Sequence, residues 1–441
     1  MPSSLHFFVD VEALYQRYLQ SIAAGGQVCT DTRKIKAGDI FFALKGPSFD
    51  GNQYALKALE SGALCAVVDD PAVATDDRFV LVEDVLTTLQ NLGTYHRRQL
   101  GIPILAITGS NGKTTTKELL HAVLSADRKT GATAGNFNNH IGVPLTLLSF
   151  TSDLEFGIVE MGANHQKEIA ALSRIAEPDY GLITNIGLAH LEGFGGPEGV
   201  KKGKGELFDY LRESGGTIFC WTDSQDLEDL VGDYGRVIRY GSSGLATGQS
   251  IDEAQFATMD ISLAGAESTR LQSQLIGSYN VPNMLAAAAV GLHFGVTPDS
   301  IIKAIEGYHP DNNRSEWKRI GSNDFVLDAY NANPSSVRAA LKNFKALERA
   351  NKIIVLGDML ELGEFSEQEH RDIAIQALDS GADLVVLVGP LFEAVKQEGA
   401  LYFNSSVEAG ADLARRNLKD STLLIKGSRG IALEKVVEAL S

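Results

Sequence analysis

The 441-residue chain has few cysteines, and none of them forms a paired motif. Cys29, Cys65 and Cys220 lie far apart, and an odd number without a CxxC pair gives no disulfide framework. We therefore expect reduced thiols that fill space in a cytosolic protein. The N-terminal residues show no basic region followed by an apolar one, so no secretory signal is expected. The longest apolar run, 284–294, is interrupted by His293 and is too short to span a bilayer.

Positive charge is also scarce in this sequence. Lys and Arg number 39 against 56 Asp and Glu, which gives a formal net charge of −17. Because nucleic acids and anionic membranes are bound through Lys and Arg, the composition argues against both as partners. An anionic ligand must instead be held by a local cluster of donors. The 44% of hydrophobic and 22% of charged residues are close to the globular average, which excludes disordered and low-complexity scaffolds.

The pattern of strands and helices divides the chain into three parts, as the length also suggests. Short strands and helices alternate up to Gly101, and Gly101-Ile102-Pro103 indicates a junction. From Ile104 onwards, apolar strands separated by helices predict a parallel sheet covered on both faces. A third block of alternating strands and helices begins near Asn313 and predicts a second doubly wound sheet. The expected α/β fold therefore has three domains: 1–100, 101–312 and 313–441.

Individual elements follow from apolar runs, caps and turn residues. Helices are predicted over 54–61, 85–100 and from Asn333-Pro334-Ser335 onwards, where a side-chain cap precedes a proline in the first turn. A β meander is predicted over 241–276. Strands are predicted over 39–44, 63–68, 104–108, 156–161, 181–186, 217–220, 325–329, 352–356, 384–388 and 422–426.

The sharpest motif is TGSNGKTTT over residues 108–116, between an apolar strand and a helix. Glycines let backbone N–H groups approach phosphate oxygens, and the helix N-terminus adds partial positive charge. A lysine here can reach the outer phosphates, and a threonine hydroxyl can bind Mg²⁺. The alternative is a tight turn with an exposed lysine. The expected phosphate contacts are Gly109, Ser110, Asn111, Gly112, Lys113, Thr114 and Thr115.

Two further polar residues follow apolar strands, where ligands of parallel sheets bind. Glu160 ends the strand at 156–161 and offers a hard oxygen ligand for Mg²⁺. His190 follows the strand at 181–186. The alternatives are a solvated strand-end carboxylate and a core histidine with satisfied hydrogen bonds. If three strand ends converge on one edge, a functional site is favoured.

Two polar segments are less specific. Residues 201–206 carry three lysines spaced by glycines, which suggests anion binding, although a charge run is usually a solvated face. Residues 135–144 are rich in side-chain amides, which can orient a polar substrate without charge, although an ordinary Asn-rich loop has the same composition. The candidates in that loop are Asn136, Asn138 and Asn139.

The loop at 108–116 has only two residues between Gly109 and Gly112, where the common phosphate loop has four. The shortened loop resembles that of the Mur ligase family, which also includes the folylpolyglutamate synthases. The other stretches that resemble this family are 30–33, 38–46, 49–51, 135–146, 160–162, 185–195, 277–283, 328–336, 357–364 and 426–429.

The resemblance implies a UDP-sugar-binding N-terminal domain, a central P-loop ATPase domain and a C-terminal Rossmann-like domain. It implies ATP and two Mg²⁺ as cofactors. Lys113 and Thr114 would hold the phosphates and a first Mg²⁺, Glu160 would be a Mg²⁺ ligand, and His190 would help hold the second. Lys204 falls where the family often has a carbamylated lysine, whose carbamate would support Mg²⁺.

Further residues are assigned by position within the resemblance. Arg314 falls where the family has an arginine that reaches ATP, although it follows Asn312-Asn313 where many members have Pro-Gly. Other expected nucleotide contacts are Asn280, Tyr330, Asn331 and Asn333. The expected substrate contacts are Thr30, Asp31, Thr32, Arg33, Lys45 and Gly46, together with the three asparagines of the amide-rich loop.

The stretch at 328–336 is the most discriminating, and within the family it implies a ligase for D-alanyl-D-alanine. The second substrate would be UDP-N-acetylmuramoyl-tripeptide, joined through an acyl phosphate in a cytoplasmic step of peptidoglycan synthesis. Lys113, His190 and Lys204 would be the catalytic residues of a monomeric enzyme.

Three other functions stay open at this point. The nearest is another amide ligase of the family, either of another Mur type or of the folylpolyglutamate type, but the folate enzymes begin directly with the ATPase domain. A P-loop switch ATPase would have the longer loop and lack a second α/β domain. A dinucleotide-dependent oxidoreductase suits the C-terminal alternation but would need a GxGxxG motif there.

Overall fold

The computed structural model describes residues 10–251, 255–310, 314–328 and 330–441. The predicted boundary at 312/313 and the residues Asn312, Asn313 and Ala329 lie outside them. The described residues form two compact units. The first holds the described residues up to Ala106 with Lys129–Met161 and Ala170–Asp179, and the second holds the remainder.

The helices and strands of the described residues are numbered here in chain order. The strands are β1 Val28–Cys29, β2 Ile40–Phe42, β3 Lys45–Gly46, β4 Phe49–Asp50, β5 Cys65–Val68, β6 Phe79–Leu81, β7 Ile104–Thr108, β8 Thr130–Ala132, β9 Phe156–Glu160, β10 Tyr180–Ile183, β11 Thr217–Trp221, β12 Val237–Tyr240, β13 Ala246–Ile251, β14 Phe256–Leu263, β15 Thr269–Ile276, β16 Glu316–Ile320, β17 Asn323–Leu327, β18 Lys352–Gly357, β19 Leu384–Val388, β20 Leu401–Phe403 and β21 Thr422–Lys426. The helices are α1 Val11–Ala23, α2 Ala55–Glu60, α3 Val85–Leu100, α4 Lys113–Ser125, α5 Gly142–Ser149, α6 Glu168–Ala176, α7 Leu191–Phe194, α8 Pro197–Ser214, α9 Gln225–Val231, α10 Val281–His293, α11 Pro298–Glu306, α12 Pro334–Ala346, α13 Ser366–Leu378, α14 Pro390–Glu393, α15 Ser406–Arg415 and α16 Glu434–Ala439.

The first unit contains a parallel sheet of four strands in the order β1-β2-β5-β6. Side chains alternate across it, as the twofold period of a strand requires. Ile40 and Phe42 pack in a core with α1 and α3, whereas Phe41 and Ala43 pack in a second core with α2. Both faces of the sheet are therefore covered, which explains why its strands are apolar throughout.

Helix α3 spans the residues that the sequence predicts, 85–100. The carboxylate of Asp84 accepts the N–H of Thr87 and caps its first turn, and Gly101 ends it at a φ of 63°. In the same unit β8 and β9 pair in parallel. Strand β7 begins in this unit at Ile104, as predicted.

The buried His96 links α1 and α3 in this unit. Its Nε2 lies 2.8 Å from the carbonyl of Phe150, and the Tyr15 hydroxyl lies 3.1 Å from Nδ1. The carbonyl can only accept, so Nε2 carries the proton and Nδ1 accepts from the hydroxyl. Burial lowers the pKa of His96, because the charged ring loses its hydration.

We expect His96→Phe to cost about 1–3 kcal/mol of stability at pH 7.5, since it leaves two buried polar groups without a partner. The lowered pKa means that the unfolded chain binds more protons below pH ~6.5, so the wild type loses stability as pH falls. The variant lacks this loss. Urea unfolding should therefore show a smaller difference in unfolding free energy between the two proteins at pH 5 than at pH 7.5. An equal difference at both pH values would contradict the lowered pKa of His96.

The second unit contains three sheets. Strands β10, β11 and β12 pair in parallel. Strands β13, β14 and β15 form the antiparallel meander that the sequence predicts, with residues 252–254 outside the description. Strand β10 ends at Ile183 and not at Ile186 as predicted, because Thr184 and Asn185 turn to hydrogen-bond with the loop after β7.

The C-terminal sheet has the order β16-β17-β21-β18-β19-β20, and all neighbours are parallel except β16 and β17. The doubly wound prediction is confirmed, and β16 and β20 are strands that the sequence did not indicate. Helix α12 begins where predicted, because the side chain of Asn333 accepts from Ser336 N–H while Ser336 accepts from Asn333 N–H. The loops after β17, β18 and β21 lie together at the carboxyl edge of this sheet.

Candidate active site

The predicted phosphate loop lies between β7 and α4. Gly109 and Gly112 have φ values of 137° and 78°, which favour glycine. A Cβ at Gly109 would lie 2.0 Å from the Thr184 hydroxyl, and one at Gly112 would lie 2.8 Å from the Asn283 carbonyl oxygen. Both glycines are therefore required by backbone conformation and by close packing.

The loop after β10 holds the phosphate loop in shape. The hydroxyl of Thr184 donates to the Asn111 carbonyl at 2.6 Å, and the Asn185 amide donates to the same carbonyl at 3.0 Å. The backbone N–H of Asn111 donates back to the Asn185 side chain. The hydroxyl of Ser110 donates to Gly187 and accepts from its N–H. These five hydrogen bonds between the two loops hold the phosphate loop in one conformation.

Helix α4 begins at Lys113, so its positive dipole end lies at the loop. The ammonium of Lys113 donates to the carbonyls of Gly109 and Ser110 at 2.7 and 3.3 Å. Thr114 and Thr115 are buried beside it. The structure thus brings the predicted loop residues together in an arrangement suited to an anion, and their contacts to a nucleotide stay predictions.

The C-terminal part docks on this loop through the start of α12. The side-chain amide of Asn333 donates to the Asn111 side chain at 2.7 Å. The Ser335 hydroxyl accepts from the Leu188 backbone N–H at 2.9 Å. Asn333, from the most discriminating sequence stretch, therefore touches the phosphate loop directly.

Arg314 and Tyr330, both predicted nucleotide contacts, touch each other. The guanidinium carbon of Arg314 lies 3.6 Å from the centroid of the Tyr330 ring, and that of Arg429 lies 5.3 Å from it. Two positive side chains are therefore held over the ring of Tyr330 by cation–π interactions. Asn331 is exposed, and its carbonyl accepts from the buried ammonium of Lys426 at 3.2 Å.

Asn280 lies behind the loop and is 2% exposed. Its amide donates to the Ile276 carbonyl and the Ser315 hydroxyl, and its carbonyl oxygen accepts from Asn283. Asn283 in turn packs on Gly112. This geometry favours a supporting role for Asn280, whose contact with a nucleotide stays a prediction.

His190 is not a core histidine, because its side chain is 21% exposed. Its Nδ1 is hydrogen-bonded to the carboxylate of Glu361, from the loop after β18. This hydrogen bond lowers the pKa of Glu361 below its ordinary value. The sequence places the two residues 171 positions apart and gave no role to the loop at 357–364.

Lys204 is buried in α8 and 1% exposed. Its ammonium donates to the Ala163 carbonyl at 3.2 Å and lies 4.9 Å from the centroid of the Phe194 ring. Burial, followed by the nearby charge of Lys113, lowers its pKa well below the ordinary range. This shift makes the neutral amine more populated than in an exposed lysine.

The three lysines of residues 201–206 have different environments in the structure, and anion binding by this stretch stays a prediction. They form part of the long helix α8, and the ammonium of Lys201 lies between the carboxylates of Asp226 and Asp229 at 2.8 and 3.0 Å. The glycines serve close packing: a Cβ at Gly203 would meet the Phe194 ring at 2.4 Å. Lys201 is therefore paired with carboxylates, Lys202 is exposed and Lys204 is buried.

In the first unit Glu160 ends β9 and is 2% exposed. The side-chain amide of Asn138 donates to it at 2.8 Å. Asn139 instead accepts the backbone N–H of Ile141 and of Gly142 where α5 begins. Asn136 is exposed. Of the three amides, Asn138 is joined to a predicted metal ligand, Asn139 caps a helix and Asn136 is presented to solvent.

The predicted substrate residues near the N-terminus form two groups. In the stretch Thr30 to Arg33, the exposed Arg33 guanidinium forms a two-point pair with Asp31 and lowers the pKa of that carboxyl to about 2. Lys45, next to Gly46 in the β3–β4 hairpin, forms an ion pair with Asp69 at 2.8 Å. The side chains of Arg33 and Lys45 are 86% and 50% exposed, so both cations are accessible to a ligand. The role of these residues stays a prediction.

Among the described residues, no group of three or more His, Cys, Asp or Glu side chains could hold a metal ion by itself. The donors proposed from the sequence are one threonine, one glutamate, one histidine and a modified lysine, so phosphate oxygens would have to complete the coordination of Mg²⁺. No helix in the described part of the chain is long and apolar enough to cross a membrane.

Comparison with known proteins finds similarity to one family along nearly the whole chain. Profiles described as "Mur ligase family, catalytic domain", "Mur ligase middle domain" and "Mur ligase, glutamate ligase domain" match residues 26–105, 107–291 and 313–429. The UDP-N-acetylmuramoyl-tripeptide–D-alanyl-D-alanine ligase of Bacillus subtilis is 35% identical over 437 residues, covering 96% of this chain and 94% of that protein.

Solved structures agree with this similarity. A crystal structure of MurF from Acinetobacter baumannii has a TM-score of 0.86 and 30% identity, covering 97% of this chain and 98% of that one. A MurF ligase from Thermotoga maritima in complex with ADP has a TM-score of 0.85 and 27% identity, covering 94% and 96%. The chain, with an N-terminal, a middle and a C-terminal Mur ligase domain, therefore belongs to the Mur ligase family.

Proposed function

We propose that the chain is the ATP-dependent ligase that joins D-alanyl-D-alanine to UDP-N-acetylmuramoyl-tripeptide in peptidoglycan synthesis. The observation that carries this proposal is the hydrogen bond from Asn333 to Asn111, since it joins the most discriminating sequence stretch to the phosphate loop. The near full-length similarity to the Bacillus subtilis ligase and the ADP bound by the Thermotoga maritima relative support it.

The chemistry requires activation of a carboxylate. Its oxygen attacks the γ-phosphorus of ATP, ADP leaves, and an acyl phosphate forms. The amine of D-alanyl-D-alanine then attacks the acyl carbon, the amine loses a proton, and phosphate leaves from the tetrahedral intermediate. Lys113 and the α4 N-terminus offset negative charge on the transferring phosphoryl group. Arg314, fixed against Tyr330, adds a second positive charge from the C-terminal part.

Two Mg²⁺ are proposed, and the donors suit that ion because they are mostly hard oxygens. Thr114, Glu160, His190 and a carbamate on Lys204 would hold them together with phosphate oxygens. When bound, the ions neutralise phosphate charge and align the reacting oxygens. Asn138 fixes the carboxylate of Glu160 for this role.

An acyl phosphate reacts with water, so the site must exclude water before it forms. The hydrogen bonds of Asn333 with Asn111 and of Ser335 with Leu188 are suited to excluding water from the site.

We propose that residues 1–100 bind the UDP-sugar, that residues 101–312 are the ATPase domain and that residues 313–441 close the site. Three free, buried cysteines support a cytoplasmic location, and a monomer suffices because the proposed site lies in one chain.

Phosphate release from ATP tests this function directly. We expect release only when both UDP-N-acetylmuramoyl-tripeptide and D-alanyl-D-alanine are present, with one phosphate for each amide bond formed. Reactions lacking one substrate serve as controls, and tripeptides ending in lysine or diaminopimelate identify the preferred carboxylate. Release with neither substrate would favour a switch ATPase, and turnover with a folate and glutamate would favour a folylpolyglutamate-type ligase.

A further inference from the structure

The loop after β18 contacts the residues after β10 at three points in the second unit. The carboxylate of Glu361 is hydrogen-bonded to Nδ1 of His190. The Glu361 carbonyl accepts from the backbone N–H of Glu192 at 3.2 Å. A Cβ at Gly363 would lie 3.2 Å from the Cβ of Glu192. The Glu361–His190 pair is thus part of a close contact between two loops.

Both residues of the pair have a left-handed backbone conformation. His190 has a φ of 53° and Glu361 a φ of 64°. This conformation is unfavourable for residues other than glycine and accumulates at functional sites. Stabilisation by the ion pair does not account for these two backbone conformations, because the Glu361 side chain is 53% exposed and exposed ion pairs stabilise little. The strained conformations therefore point to a role in positioning.

The base of the loop is firmly held, whereas Glu361 itself is exposed. Asp358 is 1% exposed and accepts the backbone N–H groups of Leu391 and Phe392 at 2.9 Å each. The buried His370 accepts from the Met359 N–H at 3.0 Å, and Ser428 accepts from the Leu360 N–H at 3.0 Å. Because the base of the loop is held in place, the loop presents one oxygen of the Glu361 carboxylate to His190 in a fixed position.

A carboxylate bound at Nδ1 decides which ring nitrogen of a neutral histidine carries the proton. With the proton on Nδ1, Nε2 carries the lone pair that a metal ion or an acidic proton can use. We propose that Glu361 is a positioning residue, which holds His190 in the Nδ1–H form and in a fixed ring orientation for phosphoryl transfer. This inference rests on the proposed function, in which His190 helps hold Mg²⁺.

The proposal couples two events, which are docking of the loop after β18 against Glu192 and completion of the site around His190. Glu361 reaches His190 only when the loop lies against Glu192, so an undocked chain lacks a correctly oriented His190. Phosphoryl transfer is then favoured in the docked arrangement, where Asn333 also contacts the phosphate loop.

The direct test is the tautomer of His190 in the full-length protein labelled with nitrogen-15 histidine at pH 8.5. The His190 signals are assigned by their loss in His190→Asn. In the wild type we expect a protonated Nδ1 and an unprotonated Nε2. In Glu361→Ala we expect the signals to shift towards the Nε2–H form, and in Glu361→Gln, which keeps an oxygen acceptor, an intermediate result. An unchanged tautomer in Glu361→Ala would overturn the proposal.

Magnesium dependence gives a second readout. For Glu361→Ala we expect about a 10–100-fold higher Mg²⁺ concentration for half-maximal activity, as found for loss of residues that orient metal ligands. Calorimetry should show weaker binding of ADP with Mg²⁺. Steady-state rates should show an unchanged KM for the UDP-linked substrate. Glu364→Gln, an exposed change in the same loop, is the matched control and should match the wild type.

The outcomes separate this proposal from the proposed function. If the wild type ligates D-alanyl-D-alanine but Glu361→Ala behaves like Glu364→Gln, the positioning role fails alone. If the wild type does not ligate, the proposed function fails, while the tautomer measurement still decides whether Glu361 controls His190.

Discussion

Replacing Lys113 by alanine is expected to lower kcat for ligation by about 10²–10³-fold, the usual cost of removing one group that stabilises transition-state charge. The ammonium donates to the phosphate-loop carbonyls of Gly109 and Ser110, so it is positioned at the loop where phosphates would bind. Alanine is a strong helix former and can begin α4. The loss should therefore arise from chemistry and not from unfolding.

Coupled measurement of ADP and amide product checks this expectation. Both should fall together in Lys113→Ala, with little change in the thermal unfolding midpoint. Lys113→Arg should also be impaired, because a planar guanidinium does not fit a loop shaped around a compact ammonium. Lys129→Ala, which removes an exposed lysine paired with Asp153, is the matched control. Ligation at the wild-type rate in Lys113→Ala would refute the role of the loop.

The sequence predicts regular elements well where local signals agree. Helix α3 has a side-chain cap at Asp84 and a left-handed glycine at 101, so both ends follow from neighbouring residues. Strands β7, β19 and β21 have the predicted bounds, because runs of apolar residues between polar turns mark them clearly. These are local properties that do not depend on distant parts of the chain.

Features that depend on distant contacts could not be predicted in this way. The sequence does not show that Phe194 packs on Gly203 or that Asp226 pairs with Lys201, so it cannot distinguish the environments of the lysines at 201–206. The role of Glu361 was missed for the same reason, since its partner lies 171 residues away. The sequence shows an acidic loop after β18, but it does not indicate that Glu361 of this loop contacts His190.

The positive charges of the site also explain how an acidic protein can serve polyanionic substrates. With a net charge of −17, general attraction of anions is absent. Lys113 and the α4 N-terminus lie at the phosphate loop, and Arg314 and Arg429 lie on Tyr330. Local donors therefore provide the attraction that the whole surface does not.

Lys204 is the second position at which a large effect is expected. Its burial and the nearby charge of Lys113 lower its pKa and so increase the fraction of neutral amine, which is the form that reacts with CO₂. The nitrogen forms a bond to the carbon of CO₂ and releases a proton, which gives a carbamate with one negative charge. The unmodified amine donates a hydrogen bond to the Ala163 carbonyl. We therefore expect the carbamate predicted from the family resemblance to form at this lysine.

Three variants and one spectroscopic measurement decide this point. With carbon-13 bicarbonate, the wild type should show a carbamate signal that Lys204→Ala and Lys204→Arg lack, since arginine stays protonated. Both variants should lose about 10²-fold or more in kcat, as expected when a charge-stabilising group is removed. Depletion of CO₂ should lower wild-type activity and bicarbonate should restore it. Lys202→Ala, an exposed change in the same helix, should match the wild type. Full activity of Lys204→Arg would rule out a required carbamate, because arginine cannot form it under these conditions.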